Sequence, residues 1–345
     1  MVELTGIALI TTTIHTAEVL KLYRTMNPDI PFFITGDRKS PHEKLKQLAQ
    51  NLGNVYYYDV EDQKNLGYKS SEIIGWNTIR RRNIALLEAL RYGADPIVTL
   101  DDDNIPLSPS YFQDFDVLLS QGFDGLMAST YKGWFNVGDY FSPKIYHRGF
   151  PLEHRQVERG VQFTPVVDKK IGVAAGLWFG DPDVDAMDRI INQPMVHQIS
   201  QILHEGIVVE EGVFSPFDSQ NTAFVRQFAP LMMMLEVGRY DDIWASYLTQ
   251  RVMHEEGFHV HYGPPFVWQE RNRQNLLGNL ESEIFGMKHT PRFCEDLRRM
   301  ELNGGSVMDS LQTIYGELAR HGKDYLPEAM LKQFDPWLDD LEMVM

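Results

Sequence analysis

Three consecutive carboxylates, Asp101-Asp102-Asp103, follow directly after the apolar segment DPIVTL. Alternate side chains at the end of a strand point the same way, so Asp101 and Asp103 can face one site, with Asp102 between them. Hard divalent cations prefer such carboxylate oxygens and also bind the oxygens of a diphosphate. The alternative is a solvated turn or a helix N-cap, where aspartate is also common. The position directly after a strand favours the metal site.

Two groups of arginines are candidates for binding phosphate. The run Arg80-Arg81-Arg82 lies on a predicted helix, where consecutive side chains point in different directions, so only one of them can face a given ligand. Arg80 is our candidate, because a guanidinium matches phosphate oxygens with a forked donor set. Arg148 and Arg155 lie in the loop YHRGFPLEHR and can bind a diphosphate. The alternative for both groups is an ordinary solvated surface.

The segment GRYDDIW places Asp241 and Asp242 at the start of a predicted helix. One interpretation is a pair of caps stabilised by the helix dipole. The other is a carboxylate that accepts sugar hydroxyl groups or acts as a base. In isolation the capping interpretation is favoured.

Other conspicuous residues favour structural roles or give no motif. The methionines at 232–234 are expected in the core. His259 and His261 share one strand face and His254 belongs to the preceding helix, so a single histidine ligand is conceivable but a histidine-only metal site is not indicated. The sequence contains no GxGxxG, GxxxxGK[ST] or GxSxG pattern, so dinucleotide-binding, P-loop and hydrolase-elbow functions have no motif support.

The elements that must position these residues alternate between strand and helix. Short apolar runs predict strands at 6–10, 31–35, 54–58 and 95–100, and helical spacing predicts helices at 17–26, 41–52 and 78–92. This order predicts a parallel sheet covered by helices on both faces, with ligands bound beyond the carboxyl ends of its strands. Thr11-Thr12-Thr13, Gly36-Asp37-Arg38 and Asp101–Asn104 all follow strands, so we expect them to converge on one site.

The second half of the chain is less regular. We expect strands at 173–180 and 258–262, the latter ended by Gly263-Pro264-Pro265, and a helix at 242–255. From about residue 281 the pattern is helical and charged. We therefore predict a nucleotide-sugar domain over residues 1–285 and a helical C-terminal appendage over residues 286–345.

Composition limits the class of function. The chain has 345 residues, of which 43% are hydrophobic, and this is enough for a sizeable core. A formal charge of −16 argues against nucleic-acid binding over most of the surface, although a local basic groove stays open as an alternative. The single cysteine, Cys294, excludes an intramolecular disulfide and a cysteine-based zinc site. The first residues lack the basic region of a secretory signal and no apolar run is long enough for a membrane span, so we expect a cytosolic protein with no membrane partner.

Several segments in order resemble the reversibly glycosylated polypeptide family, which includes plant UDP-arabinopyranose mutases. The segments that carry this resemblance are IVTLDDDNIP, RGFPLEHR, GLWFGDPDVDA, SQNTAF and GRYDDIWASY. The N-terminal ITGDRK and GWNTIRRRNIALLEAL are more similar to the STELLO-type glycosyltransferases. Together these matches span roughly residues 5 to 285.

The resemblance implies a glycosyltransferase-A type fold, a UDP-sugar substrate and a Mn²⁺ or Mg²⁺ ion. Asp101 and Asp103 match the family's acidic metal motif of DXD type, with Asp102 between them. Arg148 matches the arginine that becomes glycosylated in the family, and Arg155 matches a second functional arginine. The resemblance also assigns the acidic pair Asp241 and Asp242, and it places Thr11 and Asp37 at the base and ribose of the nucleotide. Thr12, next to Thr11, is a further candidate for binding the nucleotide. Mutases carry Trp-His where this chain has Trp268-Gln269, so the resemblance implies that His259, His261 or water replaces that histidine at the metal.

Three functions follow from these residues. The leading hypothesis is a pyranose–furanose mutase that acts on a UDP-sugar. The first alternative is a glycosyltransferase that uses Asp242 as its base. Its external acceptor would be a glycan, a protein, a small molecule or a modified DNA base. The second alternative is a non-catalytic subunit that binds a nucleotide sugar. By analogy with the family we also expect a homo-oligomer.

Overall fold

The structure, a computed structural model, describes residues 6–271, 274–302 and 304–345. The strands are β1 (Ala8–Thr13), β2 (Phe32–Gly36), β3 (Val55–Tyr58), β4 (Ile97–Leu100), β5 (Asn104–Pro106), β6 (Phe123–Ser129), β7 (Phe141–Ser142), β8 (Gln162–Lys169), β9 (Ile171–Gly180), β10 (Gln198–Ile199), β11 (Ile207–Val209), β12 (Asn221–Phe224) and β13 (His259–Gln269).

The helices alternate with the strands in the first third of the chain and dominate its last quarter. They are α1 (Leu20–Met26), α2 (His42–Leu52), α3 (Val60–Asn65), α4 (Lys69–Ile74), α5 (Arg82–Tyr92), α6 (Tyr111–Gln121), α7 (Ala186–Asn192), α8 (Gln201–Glu205), α9 (Asp241–Glu255), α10 (Leu276–Arg299), α11 (Val307–His321), α12 (Glu328–Leu331) and α13 (Phe334–Val344). Short 3₁₀ helices cover Ile79–Arg81, Val137–Tyr140, Leu152–His154, Arg226–Met232 and Gly238–Tyr240.

Eleven of these strands form one mixed sheet in the order β3-β2-β1-β4-β12-β9-β13-β11-β6-β8, with β5 paired to β13. The four strands β3, β2, β1 and β4 are parallel to one another. Side chains of β2 and β4 are buried throughout, as expected for strands covered on both faces. These features confirm the predicted α/β fold of glycosyltransferase-A type.

Several predicted boundaries were wrong. The first strand, predicted at 6–10, runs from Ala8 to Thr13, so Thr11–Thr13 belong to β1 instead of following it. The expected helix at 78–92 begins as a 3₁₀ turn over Ile79–Arg81 and becomes α-helical only at Arg82. Strand β13 does not end before Gly263-Pro264-Pro265 but continues to Gln269. Its pairing with β9 shifts register between Gly263 and Val267, and this irregularity lets the strand pass the two prolines, which cannot donate to a ladder.

The C-terminal helices pack closely on the sheet domain. Trp244 of α9 stacks on Phe293 of α10, with ring centroids 4.2 Å apart. The carboxylate of Asp340 in α13 accepts the backbone N–H groups of Lys69 and Ser70 at the start of α4, each at 2.8 Å. Helix α10 runs across the predicted boundary between residues 285 and 286, and the division into two domains stays a prediction. None of the helices among the described residues is long and apolar enough to cross a membrane.

Candidate functional site

Two adjoining pockets lie beyond the carboxyl ends of the parallel strands. The first, which we call the strand-end pocket, has a volume of about 310 Å³ and is lined by Thr12, Thr13, Ile14, His15, Asp37, Asn77, Thr78, Ile79, Arg82, Asp101, Asp102, Asp103 and Gln274. The second, which we call the arginine pocket, has a volume of about 120 Å³ and is lined by Ile79, Asp101, Arg148, Asp183, Asp218, Ser219, Gln220, Arg239, Asp241, Asp242 and Arg271. Asp101 and Ile79 line both pockets, so the two cavities meet at the acidic cluster.

A larger cavity of about 500 Å³ lies elsewhere, between α10 and α11. Its lining includes Asp296, Glu317 and His321 but none of the residues that the sequence singled out. We therefore place the candidate site at the two smaller pockets.

The threonines and Asp37 form the wall of the strand-end pocket at the ends of β1 and β2. The buried hydroxyl of Thr11 donates to the carbonyl of Leu100 at 2.6 Å and ties β1 to β4, so Thr11 lies behind the lining residues. Thr12 lines the pocket and donates to the carbonyl of Thr35 at 2.8 Å. Asp37 accepts the backbone N–H of Thr78 at 2.9 Å and thereby fixes the turn that leads into α5.

Each aspartate of the acidic cluster has a different partner. Asp101 accepts from Arg82 at 2.6 Å, Asp102 accepts a short hydrogen bond from Thr13, and Asp103 accepts from the amide of Gln269 at 3.4 Å. Burial, followed by the charge of Asp101, raises the pKa of Asp103 to about 6. A cluster of partly uncompensated carboxylate oxygens is the donor set that Mg²⁺ or Mn²⁺ prefers, so these residues fit the ion that the family implies.

Gln269 rather than a histidine accompanies the acidic cluster. His259 and His261 lie at the opposite end of β13, and eight strand residues span roughly 26 Å. His259 binds the carbonyl of Val209, and His261 packs against the ring of Phe123. Of the three replacements expected for the family's metal-binding histidine, His259 and His261 were therefore wrong, because the register of β13 holds them away from the cluster. Water stays the remaining alternative.

The arginine run points in three directions, as predicted, but the residue that reaches the acidic cluster is Arg82. Arg80 pairs with Glu236 at 3.0 Å and is not among the residues that line either pocket. Arg81 is fully buried and donates to Gln63 and Ser71. The choice of Arg80 was therefore wrong by two positions. The sequence pattern predicted one continuous helix and did not reveal that Ile79–Arg81 form a 3₁₀ turn before α5 begins at Arg82.

Arg148 lies in the wall of the arginine pocket with every guanidinium nitrogen engaged. It pairs with Asp183 at 2.9 Å and with Asp242 at 3.0 Å, and it donates a short hydrogen bond to the carbonyl of Arg239. These two carboxylates hold the pKa of Arg148 well above its usual value against the effect of burial. Arg148, Asp241 and Asp242, all singled out from the sequence, thus meet in one pocket.

Asp241 and Asp242 are adjacent but differ in their environment. Asp242 accepts from Arg148 and from the backbone and hydroxyl of Ser219, and Arg148 lowers its pKa despite burial. Asp241 has no ion pair among the described residues, and burial beside Asp242 raises its pKa to about 7. A carboxyl group with a pKa near neutrality can take up a proton at physiological pH, so Asp241 is better suited to act as a base than Asp242.

Arg155 lies outside the two pocket linings. Its guanidinium forms a short, buried ion pair with Asp185, and Asp185 caps the start of α7. Arg155 also donates to the carbonyl of Phe150, so it connects the loop that carries Arg148 to the start of α7.

Sequence reasoning missed Arg82, Asp183, Asp218 and Arg271 as residues of the site. The alternating carboxylates of DPDVD, which follow strand β9 as the acidic cluster follows β4, were the available signal for Asp183. His147, Asp183 and Asp218 lie close enough for ligand atoms to share an ion. However, Asp183 already pairs with Arg148 and Arg271, and Asp218 lies 3.4 Å from His147, so we interpret this group as an ion-pair network.

The chain is similar in sequence to known proteins. The model of the family described as "Reversibly glycosylated polypeptide" matches residues 9–339. A probable UDP-arabinopyranose mutase 1 of Solanum tuberosum is 22% identical over 96% of this chain and 90% of its own length. A probable UDP-arabinopyranose mutase 1 of Pisum sativum is 22% identical over 91% of this chain and 82% of its own length. The UDP-arabinopyranose mutase 1 of Arabidopsis thaliana is 24% identical over 71% of this chain and 65% of its own length. Since the family model covers nearly the whole chain, this protein belongs to the reversibly glycosylated polypeptide family.

Proposed function

We propose that this protein is an enzyme that interconverts the pyranose and furanose forms of a UDP-sugar. The observation that carries the proposal is the position of Asp101, which lines both the strand-end pocket and the arginine pocket. A diphosphate bound at the acidic cluster therefore has a nucleoside-sized cavity on one side and a small polar cavity on the other. The names of the relatives, which are UDP-arabinopyranose mutases, support the same substrate class.

In this proposal the nucleoside lies in the strand-end pocket. Thr12 and Asp37 lie at its wall, and the half-exposed side chains of Ile14 and Ile79 offer apolar surface to a base. Asp101 and Asp103 would hold a divalent cation, which stabilises negative charge on the departing diphosphate. Arg82 keeps Asp101 oriented toward that position through the ion pair at 2.6 Å.

The sugar lies in the arginine pocket, where carboxylates and guanidinium groups can bind its hydroxyl groups. The bond between the anomeric carbon and the diphosphate oxygen breaks, and the electron pair leaves with the diphosphate. Arg148 and Asp242 fix the pocket wall, and Asp241 takes the proton of the hydroxyl group that closes the new ring. The bond between the anomeric carbon and the former ring oxygen breaks as the diphosphate re-forms its bond to that carbon. Asp241 returns the proton to the released oxygen, so the net reaction is an isomerisation. Attachment of the sugar to Arg148 itself stays a prediction.

The test is an assay without acceptor. The purified protein is incubated with a UDP-pentose or UDP-hexose and Mn²⁺, and the nucleotide sugars are separated by chromatography. We expect a furanose form of the UDP-sugar to appear, and we expect Asp241→Asn to abolish its formation while UDP binding is retained.

Two other outcomes would replace the proposal. Slow hydrolysis of the UDP-sugar without isomerisation, together with fast transfer of the sugar when an acceptor is supplied, would indicate a glycosyltransferase. Tight UDP binding with no turnover of any kind would indicate a non-catalytic nucleotide-sugar-binding subunit.

A further inference from the structure

Arg271 lies two residues beyond the end of β13, where the candidate site is completed by the C-terminal half of the chain. Its side chain lines the arginine pocket and is 10% exposed. Nη2 approaches three acceptors at 3.1 Å each, namely the side-chain oxygens of Asp183, Gln220 and Gln269. All the hydrogen bonds of Arg271 to described residues thus go through one nitrogen.

The other guanidinium nitrogens of Arg271 are not used. Nε is buried and donates to no residue that the structure describes, and its approach to Asp181 at 3.9 Å is too long for a hydrogen bond. Nη1 also has no hydrogen bond to the described part of the chain. A buried N–H group without a partner is costly, so a ligand with acceptor oxygens is expected to fill this position.

Arg271 differs in this respect from the other arginines of the same pocket. Arg148 has all its nitrogens engaged with Asp183, Asp242 and the carbonyl of Arg239. Arg239 turns away to Glu283 of α10 at 2.9 Å and is 35% exposed. Arg271 therefore offers donors that the fold does not consume.

Arg271 is also connected to the acidic cluster. It donates to the amide oxygen of Gln269, and the amide nitrogen of Gln269 donates to Asp103 at 3.4 Å. A diphosphate bound at Asp101 and Asp103 would therefore have the guanidinium of Arg271 on the side that faces the arginine pocket. A permanent cation at this position can bind phosphate oxygens that face away from the metal.

We propose that Arg271 binds the sugar-side phosphate of the nucleotide sugar and is a second cationic contact of the leaving diphosphate. The inference rests on the proposed function, because it places the nucleoside in the strand-end pocket. The competing interpretation is that Arg271 serves only as the counterion of Asp183. The two interpretations differ in whether binding of the second phosphate depends on the guanidinium of Arg271.

The experiment compares the affinities of UMP and UDP in saturating Mn²⁺ by isothermal titration calorimetry. For Arg271→Met we expect the affinity for UDP to fall at least tenfold and that for UMP to fall less than threefold. Arg189→Met is the matched control, because Arg189 is similarly buried and pairs with Asp181 but lies outside both pocket linings. We expect this control to keep the wild-type ratio of the two affinities.

The possible outcomes separate the two proposals. If wild-type protein binds neither nucleotide, the proposed function and this inference both fail. If wild-type protein binds UDP but Arg271→Met leaves its UDP affinity unchanged, or weakens UMP and UDP equally, only the role of Arg271 is refuted. If the methionine variant does not fold, Arg271→Lys is tested instead, because lysine keeps the positive charge but lacks the forked N–H donors of the guanidinium. An unchanged ratio of UDP to UMP affinity in that variant overturns the inference, and a threefold or larger fall in the ratio supports it.

Discussion

Arg82 donates from Nη2 to the Oδ1 atom of Asp101 at 2.6 Å, and this ion pair fixes one carboxylate oxygen at the junction of the two pockets. Arg82 is 3% exposed and Asp101 is 24% exposed, so the cation is held in the core while the carboxylate reaches the cavity. The same guanidinium also binds the carbonyl oxygen of Ser219 at 2.9 Å. A single buried arginine therefore connects α5, β4 and the segment before β12.

The first prediction is that Arg82→Met strongly destabilises the fold. Removing the buried partner leaves Asp101 without its ion pair, while the Ser219 carbonyl keeps its hydrogen bond from the Thr99 hydroxyl. We expect a loss of about 3 kcal/mol in the free energy of unfolding, at the lower end for a broken buried pair because Asp101 is partly solvated. Arg80→Met removes only the more exposed pair with Glu236 and should cost less than about 1 kcal/mol. Urea denaturation measures both values. Equal losses in the two variants would show that the arginine run is not ordered as described.

The second prediction concerns the register of the acidic cluster. Asp103→Asn should lower the affinity for Mn²⁺ at least tenfold, because it removes a carboxylate from the proposed metal site. Asp102→Asn is the matched control from the same run, and its effect should be smaller because that carboxylate is engaged by Thr13. Electron paramagnetic resonance of free Mn²⁺ measures the binding. A larger loss of Mn²⁺ affinity for Asp102→Asn than for Asp103→Asn would mean that Asp102, and not Asp103, faces the metal.

The part of the fold that local pattern determines could be predicted from the sequence. In the first 100 residues the four strands and the helices α1, α2 and α5 were predicted to within a few residues, whereas α3 and α4 were not predicted. Residues at the ends of β1, β2 and β4 do converge on one pocket. This succeeded because the ends of neighbouring parallel strands must lie at the same edge of a sheet.

The partners of the site residues could not be predicted, because they depend on contacts distant in the chain. Arg82 meets Ser219, Arg148 meets Asp242, and Gln269 meets Asp103, across 137, 94 and 166 residues respectively. No local spacing encodes such contacts. Strand β13 shows the same limit, because Pro264-Pro265 is a stop signal locally, whereas pairing with β9 and β5 continues the strand.

The third prediction is a pH dependence that arises from Asp241. Burial and the charge of Asp242 raise the pKa of Asp241 to about 7, with Arg148 and Arg80 opposing this shift. The folded protein therefore binds a proton that the unfolded chain has already lost, and stability falls as pH rises from about 4 to 7. The whole shift corresponds to at most about 4 kcal/mol. Asp241→Asn should lack this component, so that its stability relative to wild type increases with pH.

Thermal or urea unfolding of both proteins between pH 5 and pH 8 measures this difference. The control is Asp62→Asn, an exposed capping residue of α3 that lines neither pocket, and the stability of this variant should run parallel to that of wild type over this range. If wild type and Asp241→Asn change in parallel, the pKa of Asp241 is not raised into this range, and the carboxylate would be too weak a base for the proposed role.

The fourth prediction tests how α10 supports the arginine pocket. Gly286 of α10 packs directly on Tyr240, the residue before Asp241, and a Cβ atom at Gly286 would lie 2.1 Å from the tyrosine ring. Gly286→Ala must therefore displace the ring or the helix, and we expect a loss of about 1–3 kcal/mol in the free energy of unfolding. Because Tyr240 precedes Asp241 and Asp242, the displacement should also weaken UDP-sugar binding more than UDP binding.

Gly316→Ala is the matched control within α11, where the nearest atom is the mobile end of Arg320 at 3.6 Å. There the added methyl group should stabilise the helix by about 0.5–1 kcal/mol. If Gly286→Ala were as stable as wild type and bound UDP-sugar equally well, α10 would not position the acidic pair.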